Sequence, residues 1–434
     1  MIFRRVEVDG DVVDVLVREG VVSAVGQGLA SGGADEIDGD GGALIPGLHD
    51  HHVHLFAMAA AADSVDMTGD ALAALWAADA TMPPGAWIRA VGWHESSGWE
   101  LDRKALDYAV SGRPVRVQHA SGALWVLNTP ALEAVGLPDH ATGRLYGMDA
   151  FLRDRLGGDR PDLTEVGRGL AAVGVTGVTD ATPYERAEDV RALAGVIPQR
   201  VMVTGGPGLD LDGSLLMGPA KVIVADHDPP SVEALVASVR EARDRGRAVA
   251  FHCASRLGLV LALAALEDVG SRPGDRIEHG AVIPDDAVGT LVRLGLTVVT
   301  QPAFVAERGD RYLADVEADD RPYLWRCRSL LDAGVAVAGS SDAPHGPADP
   351  WRAMAAAVTR RTAAGAVLGE EERVSAQAAL DLFLGPLDAP GGPPRQVVVG
   401  APADLCLLHR SLAEVLAEPD ASTVRMTMVA GAVV

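Results

Sequence analysis

The sequence predicts an α/β protein whose main part is a (β/α)8 TIM barrel, with a small composite β-sandwich domain from both chain ends and an insertion after strand 1. Over the middle of the chain, short β-branched runs alternate with helical stretches rich in Ala, Leu and Arg, as in parallel βα units. From Lys221 to His279 the expected strand ends lie about 30 residues apart, as in barrels of eight units. The interval from His54 to Asp180 is several times longer, so we expect an insertion there.

The two ends of the chain have a different character, with short alternating strands separated by tight turns. At the N-terminal end, Asp9-Gly10 and Glu19-Gly20 are typical turns between such runs. At the other end, similar runs follow a Pro/Gly-rich linker, namely Gln396–Val399, Asp404–Leu408 and Val424–Val434. We expect residues 1–44 and 395–434 to join in one composite β-domain, with two unrelated β-patches as the alternative.

The remaining chain, residues 45–394, is assigned to the barrel. Its eight strand ends are placed at His54, Asp180, Thr204, Lys221, His252, His279, Gln301 and Asp342. Barrel enzymes carry their chemistry at the C-terminal ends of the strands, so side chains at these positions are functional candidates. The insertion, residues 60–165, leaves from the same face, and we expect it to form a lid or substrate-binding subdomain.

The insertion also supplies candidate substrate contacts. Its expected elements are a strand at Trp87–His94, a helix at Leu101–Val110, a strand at Pro114–Gln118 and a loop at Gly122–Trp125. Trp93, His94 and Trp125 would reach the substrate from these elements. Packing inside the insertion is the alternative for each of them.

Composition restricts the partners and the compartment. A formal charge of −23 and a pI near 4.8 argue against nucleic acid and anionic membranes, and they favour small neutral or cationic substrates. Three scattered cysteines do not make a disulfide framework, and residues 1–22 lack the apolar run of a secretory signal, so we expect a cytoplasmic protein. The apolar run Leu257–Leu266 is too short to span a bilayer. Assembly into a homo-oligomer stays open.

Histidines and one acid at the expected strand ends indicate a metal site. His52 and His54 point the same way on a strand, so both can hold one cation. His252, His279 and Asp342 end other strands of the same barrel. Each residue alone is a weak signal, because a strand-end histidine is more often a hydrogen-bonded core residue. Together, at one mouth of a barrel, they form a specific pattern.

These residues carry a resemblance to a known family. The stretch Pro46-Gly47-Leu48 followed by Asp50, His52 and His54, with Ser341-Asp342-Ala343-Pro344 at strand eight, resembles the amidohydrolase superfamily of metal-dependent hydrolases. The segments Asn128–Leu132 and Gly174–Asp180 resemble more narrowly the branch that includes N-substituted formamide deformylase. The resemblance covers nearly the whole chain.

The resemblance implies a centre with two divalent metal ions. His52, His54 and Asp342 would hold the first ion and His252 and His279 the second. Zinc is the first expectation, and manganese, iron or nickel would also suit such ligands.

The resemblance also assigns Lys221 and Asp50, and among the remaining histidines His345 is the candidate for the mouth of the site. Lys221, one of only two lysines among 37 basic residues, would be carboxylated and bridge the two metal ions. Asp50 would orient a ligating histidine from outside the ligand set. His345 would line the mouth and contact the substrate.

The implied reaction is hydrolysis of a non-peptide C–N bond, in an amide or an N-acyl or N-formyl amine, by metal-bound hydroxide, with Asp342 as catalytic proton shuttle. A mononuclear deaminase of the same superfamily and a catalytically silent metal-containing binding protein are the alternatives. Cys253-Ala254-Ser255 offers no acid after His252, which disfavours the deaminase. Departures from the branch pattern at Ala123 and Asp226-His227 concern the substrate more than the metal ligands.

Overall fold

A computed structural model describes residues 1–95, 98–157, 160–211 and 213–434. The chain divides into two compact units. The first unit, Met1–His54 with Thr164–Val434, is called the main unit here, and the second, Leu55–Leu163, is called the insertion unit. No helix in the described ranges is long and apolar enough to cross a membrane. The three cysteines, Cys253, Cys327 and Cys406, are free and buried.

Residues 1–54 of the main unit contain strands joined by turns and loops, and no helix. The strands are β1 (Ile2–Val8), β2 (Asp11–Arg18), β3 (Val21–Gly26), β4 (Glu36–Asp38), β5 (Leu44–Pro46) and β6 (Leu48–Val53). The first four strands form one sheet in the order β3-β2-β1-β4. The turns at Asp9-Gly10 and Glu19-Gly20 connect its antiparallel strands as the sequence predicts, and all four residues have the positive φ that such turns require.

The insertion unit follows directly after β6. Its elements are α1 (Leu55–Ala62), β7 (Val65–Asp66), α2 (Ala71–Thr81), β8 (Ile88–Trp93), α3 (Arg103–Ala109), β9 (Val115–His119), β10 (Leu124–Leu127), α4 (Thr129–Ala134), β11 (Arg144–Tyr146) and α5 (Asp149–Leu156). Its sheet has the order β11-β10-β9-β8-β7. Trp125 lies in β10 and not in a loop, because its backbone pairs with Gln118 and Leu145 on the neighbouring strands.

Residues 164–434 complete the main unit. Their helices and strands are α6 (Thr164–Ala172), β12 (Val175–Asp180), α7 (Ala187–Arg191), β13 (Arg200–Val203), β14 (Leu216–Met217), β15 (Ala220–Ile223), α8 (Val232–Asp244), β16 (Val249–Cys253), α9 (Arg256–Val269), β17 (Arg276–His279), α10 (Asp285–Leu294), β18 (Thr297–Thr300), α11 (Ala303–Asp315), α12 (Arg328–Asp332), β19 (Ala336–Gly339), α13 (Pro350–Thr359), α14 (Ala376–Asp381), β20 (Leu405–Leu408), α15 (Leu412–Ala417), β21 (Val424–Val429) and β22 (Ala432–Val433). Single 3₁₀ turns lie at Arg321–Tyr323, Glu370–Glu372 and Ala421–Thr423.

Two parallel sheets form the centre of the main unit. One has the order β14-β13-β12-β6 and the other the order β15-β16-β17-β18-β19. Their strands are almost entirely buried, as expected of parallel sheets covered by helices. Ser231 and Ser255 begin the covering helices α8 and α9, because each serine side chain accepts a hydrogen bond from the first helical turn. The α/β class predicted from the sequence is confirmed.

Main-chain hydrogen bonds connect the edges of these two sheets. The Asp342 amide donates to the His52 carbonyl at 2.9 Å, and the His54 amide donates to the Ala343 carbonyl at 2.8 Å. On the other side, the Lys221 amide donates to the Gly205 carbonyl at 2.7 Å. Lys221 is the second residue of β15 and not its end. The segment between β13 and β15 contains the short strand β14 and no helix in its described part. The spacing of about 30 residues per strand and helix therefore does not apply there, and the strand end was misplaced.

The two chain ends pack around one hydrophobic core. Strands β20, β21 and β22 form a sheet with β5, in the order β22-β21-β20-β5. Apolar side chains of this sheet and of the β1–β4 sheet belong to the same buried cluster. The strand expected at Gln396–Val399 is absent. Val397 packs into the core, but the backbone turns at Val399-Gly400, where the Gly400 amide donates to the Val22 carbonyl instead of extending a sheet.

Candidate metal centre

The main unit brings the predicted metal ligands together. Ligand atoms of His52, His279 and Asp342 all lie within 4.8 Å of one another. His54 Nε2 lies 3.3 Å from Asp342 Oδ1. The rings of His252 and His279 have centroids 4.5 Å apart. Residues that are remote in sequence therefore share one small volume.

Lys221 belongs to the same volume. Its Nζ lies 3.3 Å from His52 Nε2, and the residue is only 2% exposed. Burial lowers the pKa of Lys221 to about 8, although the nearby carboxylates of Glu278 and Asp342 oppose this shift. A substantial neutral fraction near neutral pH is the condition for a lysine to react with carbon dioxide.

The backbone places two of these side chains at some cost. His279 and Asp342 have φ angles of 68° and 54°, in the left-handed region that residues other than glycine seldom adopt. Each such conformation costs on the order of 1–3 kcal/mol and persists where the surrounding structure fixes it. Here Asp342 is fixed by the hydrogen bond of its amide to β6.

Burial keeps the imidazoles in the form that binds metals. It lowers the pKa of His52 to about 4 and that of His279 to about 3, and nearby cations add to both shifts. The pKa of His252 is also well below its ordinary value, because burial and the neighbouring His279 disfavour its charged form. All three rings are therefore neutral at pH 7. A neutral imidazole has the lone pair that coordinates a metal ion.

Asp342 supplies the negative charge of the site. Burial alone would favour its neutral form, but His54 and the rings of His279 and His52 hold the pKa of Asp342 well below its usual range. Its Oδ1 atom is buried and has no hydrogen-bond partner among the described residues. A buried carboxylate whose Oδ1 lies 3.3 Å from His54 Nε2 and 3.5 Å from His52 Nε2 forms, with these imidazoles, a donor set that fits a divalent transition metal.

Glu278 is a residue of this site that the sequence reasoning missed. Its Oε2 accepts a hydrogen bond from His52 Nδ1 at 2.5 Å, and its Oε1 accepts one from Arg276 Nε at 2.5 Å. Both carboxylate and imidazole are fully buried. The bond fixes the proton on Nδ1 and leaves the Nε2 lone pair directed at Lys221 and Asp342. The sequence signal that could have revealed Glu278 is the pair Arg276 and Glu278, two charged residues on the same face of the short buried strand β17.

Polar partners also orient the other two rings. Gln301 Oε1 accepts a hydrogen bond from His279 Nδ1 at 2.9 Å, and Gln301 in turn donates to Ser340 Oγ. Thr182 Oγ1 lies 2.9 Å from His54 Nδ1. Gln301 directly follows β18, one residue after the last residue of that strand. Its side chain orients the His279 ring through this hydrogen bond.

Asp50 acts through the backbone and not through an imidazole. Its Oδ1 accepts hydrogen bonds from the amides of His52, at 3.2 Å, and Ser341, at 3.0 Å. The bond to the His52 amide is consistent with the expectation that Asp50 orients a histidine from outside the ligand set, which stays a prediction. It ties β6 to the residues after β19, and burial raises its pKa to about 6. His345 lies beside the centre, with its ring centroid 5.8 Å from that of His54.

The aromatic candidates of the insertion unit are mainly packing residues. Trp93 is fully buried in an apolar cluster and donates to the Trp99 carbonyl, so the expectation of a substrate contact is corrected. Trp125 is 5% exposed and packs in a second cluster. The sequence could not separate these cases because core and binding tryptophans follow the same pattern.

His94 belongs to a polar cluster at the ends of β8 and β9. It could share a cation with Glu95 and His119. However, Glu95 already accepts hydrogen bonds from His119 Nε2 and Arg144, both at 2.9 Å, and His119 Nδ1 contacts Ser121. This ion-paired network satisfies its own polar groups without a metal ion.

Comparisons with known proteins agree with this geometry. A family model described as "Amidohydrolase family" matches residues 35–434. N-substituted formamide deformylase of Arthrobacter pascens is 27% identical over 490 residues, covering 91% of this chain and 90% of the deformylase.

Two solved structures show a similar fold. An uncharacterized metal-dependent hydrolase from Pyrococcus horikoshii OT3 has a TM-score of 0.74 at 21% identity, covering 94% of this chain and 97% of that one. N-isopropylammelide isopropylaminohydrolase from Burkholderia multivorans has a TM-score of 0.57 at 19% identity, covering 100% and 98%. The resemblance found in the sequence is confirmed.

Proposed function

Because the chain belongs to the amidohydrolase family, we propose that it is a metal-dependent hydrolase that cleaves a non-peptide C–N bond of a small molecule. The bond would be that of an amide or of an N-acyl or N-formyl amine, as the name of the related deformylase suggests. The single observation that carries the proposal is the convergence of His52, His279 and Asp342 within 4.8 Å, beside a buried lysine.

The proposed ligands form two groups, one for each of two divalent cations. His52, His54 and Asp342 would hold one cation and His252 and His279 the other, with carboxylated Lys221 between them. Zinc is the proposed metal, since imidazole and oxygen donors suit it, and manganese, iron and nickel are alternatives. When bound, the cations supply Lewis acidity that polarises the substrate carbonyl and lowers the pKa of water.

Carboxylation of Lys221 would follow from its burial. The neutral Nζ would attack the carbon of carbon dioxide, the N–C bond would form as one C=O π bond opens, and the proton lost from Nζ would pass to water, which leaves an anionic carbamate. The lowered pKa of Lys221 supplies the neutral amine. The two cations, when bound, would stabilise the carbamate against the nearby carboxylates of Glu278 and Asp342.

Asp342 is the proposed proton carrier. Its low pKa keeps it ionised, so it can accept a proton from the attacking water at the carboxylate and deliver it to the leaving nitrogen. Glu278 keeps the Nδ1 proton of His52 in place during this transfer, because the Glu278–Arg276 ion pair stays buried and charged.

We also propose that β6, β12, β13 and β15–β19 close into an eight-stranded barrel. The hydrogen bonds that join the residues after β19 to β6, and β15 to Gly205, support closure. The shared core of the two terminal sheets supports a composite sandwich. A small-molecule partner and a cytoplasmic location follow from the composition alone and stay predictions, as does the lid role of the insertion.

The test combines metal analysis with turnover. Purified protein is assayed by elemental analysis and against a panel of N-formyl and N-acyl amines, with release of the free amine as the readout. We expect about two metal equivalents and hydrolysis of at least one panel member, lost on chelation and restored by zinc. Metal-loaded protein that turns over no amide, ester, lactone or ring substrate would contradict the proposal and favour a silent binding protein.

A further inference from the structure

One face of the insertion sheet carries two adjacent arginines. Arg89 on β8 and Arg116 on β9 are register partners in parallel strands, so their side chains lie side by side on the same face. Trp125 on β10 shares this face, since it pairs with Gln118, two residues after Arg116. The guanidinium carbons of Arg89 and Arg116 lie 5.4 and 5.2 Å from the centroid of the Trp125 ring.

The hydrogen bonds of these arginines are unequal. Arg89 Nη1 donates to the Ala60 carbonyl at 2.8 Å and to Ser64 Oγ. Arg116 Nε is buried and has no hydrogen-bond partner in the part of the chain that the structure describes. A guanidinium carries five N–H donors, and a buried donor without a partner is costly. Arg116 Nε is therefore a donor that the described residues do not satisfy.

The local charge is also unbalanced. Among the described residues, the carboxylate that interacts with both guanidinium groups is that of Asp149, which accepts a hydrogen bond from Trp125 Nε1 at 2.7 Å and lies at the surface. Burial and repulsion from Arg116 lower the pKa of Arg89 to about 10, and burial lowers the pKa of Arg116. Two partly buried cations and one exposed anion leave about one positive charge on this face. The Trp125 ring attracts both cations, and a bound anion would offset the repulsion between them.

We propose that the face formed by Arg89, Arg116 and Trp125 binds the carboxylate of a small organic acid. The planar guanidinium fork matches two carboxylate oxygens. A single excess positive charge matches a monoanion better than a phosphate dianion. The Trp125 ring packs against both guanidinium groups, so it is placed to report binding at them. The site lies within the insertion unit and does not depend on the function proposed for the metal centre.

The test uses benzoate with the metal-loaded, full-length protein. Binding is followed by NMR at the indole N–H of Trp125, assigned with Trp125→Phe, because this proton lies at the site and distinguishes it from binding at the metals. We expect benzoate to shift this resonance in a saturable manner. In Arg116→Gln the benzoate Kd should rise by about tenfold or more, because charge-assisted hydrogen bonds are lost.

Arg153→Gln is the matched control, since Arg153 is an exposed arginine of α5 in the same unit. It should leave the benzoate Kd unchanged. Arg116→Gln should also keep or raise the melting temperature, because it removes repulsion from Arg89. No shift with benzoate, equal weakening by both variants, tighter binding of inorganic phosphate, or a fall in melting temperature for Arg116→Gln without a change in Kd would each overturn the proposal. The last result would show that Arg116 is a structural cation only.

Discussion

Replacing Glu278 by Gln tests how the metal centre is held. The carboxylate receives the Nδ1 proton of His52 in a fully buried, charge-assisted hydrogen bond of 2.5 Å. Glutamine keeps the size but removes the charge, and its amide group no longer requires the proton on Nδ1. Loss of such a partner typically weakens metal binding by about 10- to 100-fold. That range corresponds to about 1.4–2.8 kcal/mol of binding free energy.

The assay is zinc binding to metal-free protein, measured by competition with a fluorescent chelator. Glu372→Gln is a matched control, because Glu372 forms another buried ion pair, with Arg326 Nε at 3.0 Å, and its other hydrogen bonds go to Cys327 and Ser329. Both variants lose one buried carboxylate. Only Glu278→Gln should change the zinc Kd, and circular dichroism should show that both variants are folded.

The reasoning would be refuted by a folded Glu278→Gln protein whose zinc Kd lies within twofold of the wild-type value. Equal losses of affinity in the two variants would also refute it. In that case destabilisation of the fold, and not the orientation of His52, would govern metal binding.

Four further results are expected. Lys221→Ala should lower the metal content from about two equivalents to one or fewer by elemental analysis, and unchanged content would argue against a bridging role. In metal-free protein with fixed total ¹³C-bicarbonate, the carbamate signal of Lys221 should grow with rising pH, with its midpoint near pH 8 and its plateau above that, because half of the amine is neutral at its pKa; a signal independent of pH would contradict this. Asp342→Asn should lower kcat by about 10²- to 10⁴-fold with circular dichroism unchanged, and wild-type turnover would remove Asp342 from the reaction. Arg276→Met should lower the free energy of unfolding by about 3–5 kcal/mol, because it leaves Glu278 buried and unpaired; a loss below about 1 kcal/mol in urea titration would contradict a buried ion pair.

The sequence predicted most of the central ligand positions because strand ends in α/β proteins have clear local signals. His52 and His279 lie near the ends of short buried strands and Asp342 follows one, and strand direction then brings them to one edge. Lys221 was found through its rarity and the resemblance, although its position within β15 was not. Spacing failed there because a loop without a described helix joins β13 to β15.

The residues that hold the ligands were harder to find. Glu278 touches His52 across the sheets, and a single sequence does not show which buried acid faces which ring. A tryptophan gives the same hydrophobic pattern in a sequence whether it packs in a core or contacts a ligand. The burial of Trp93 and Trp125 therefore became known only from the structure. The pairing of Arg89 with Arg116 depends on strand register, which the insertion's short strands do not reveal in advance.

The centre is assembled from both extremes of the main unit, and this affects how the protein is made. During synthesis His52 and His54 leave the ribosome hundreds of residues before Asp342. A nascent chain therefore exposes a pair of imidazoles that can capture a stray cation well before the remaining ligands exist. The His52 carbonyl accepts a hydrogen bond from the Asp342 amide. That edge of β6 therefore lacks this partner until residue 342 has been translated. Metal loading should consequently be a late, post-translational event, and an early stop codon upstream of residue 342 should yield a chain unable to retain its ions.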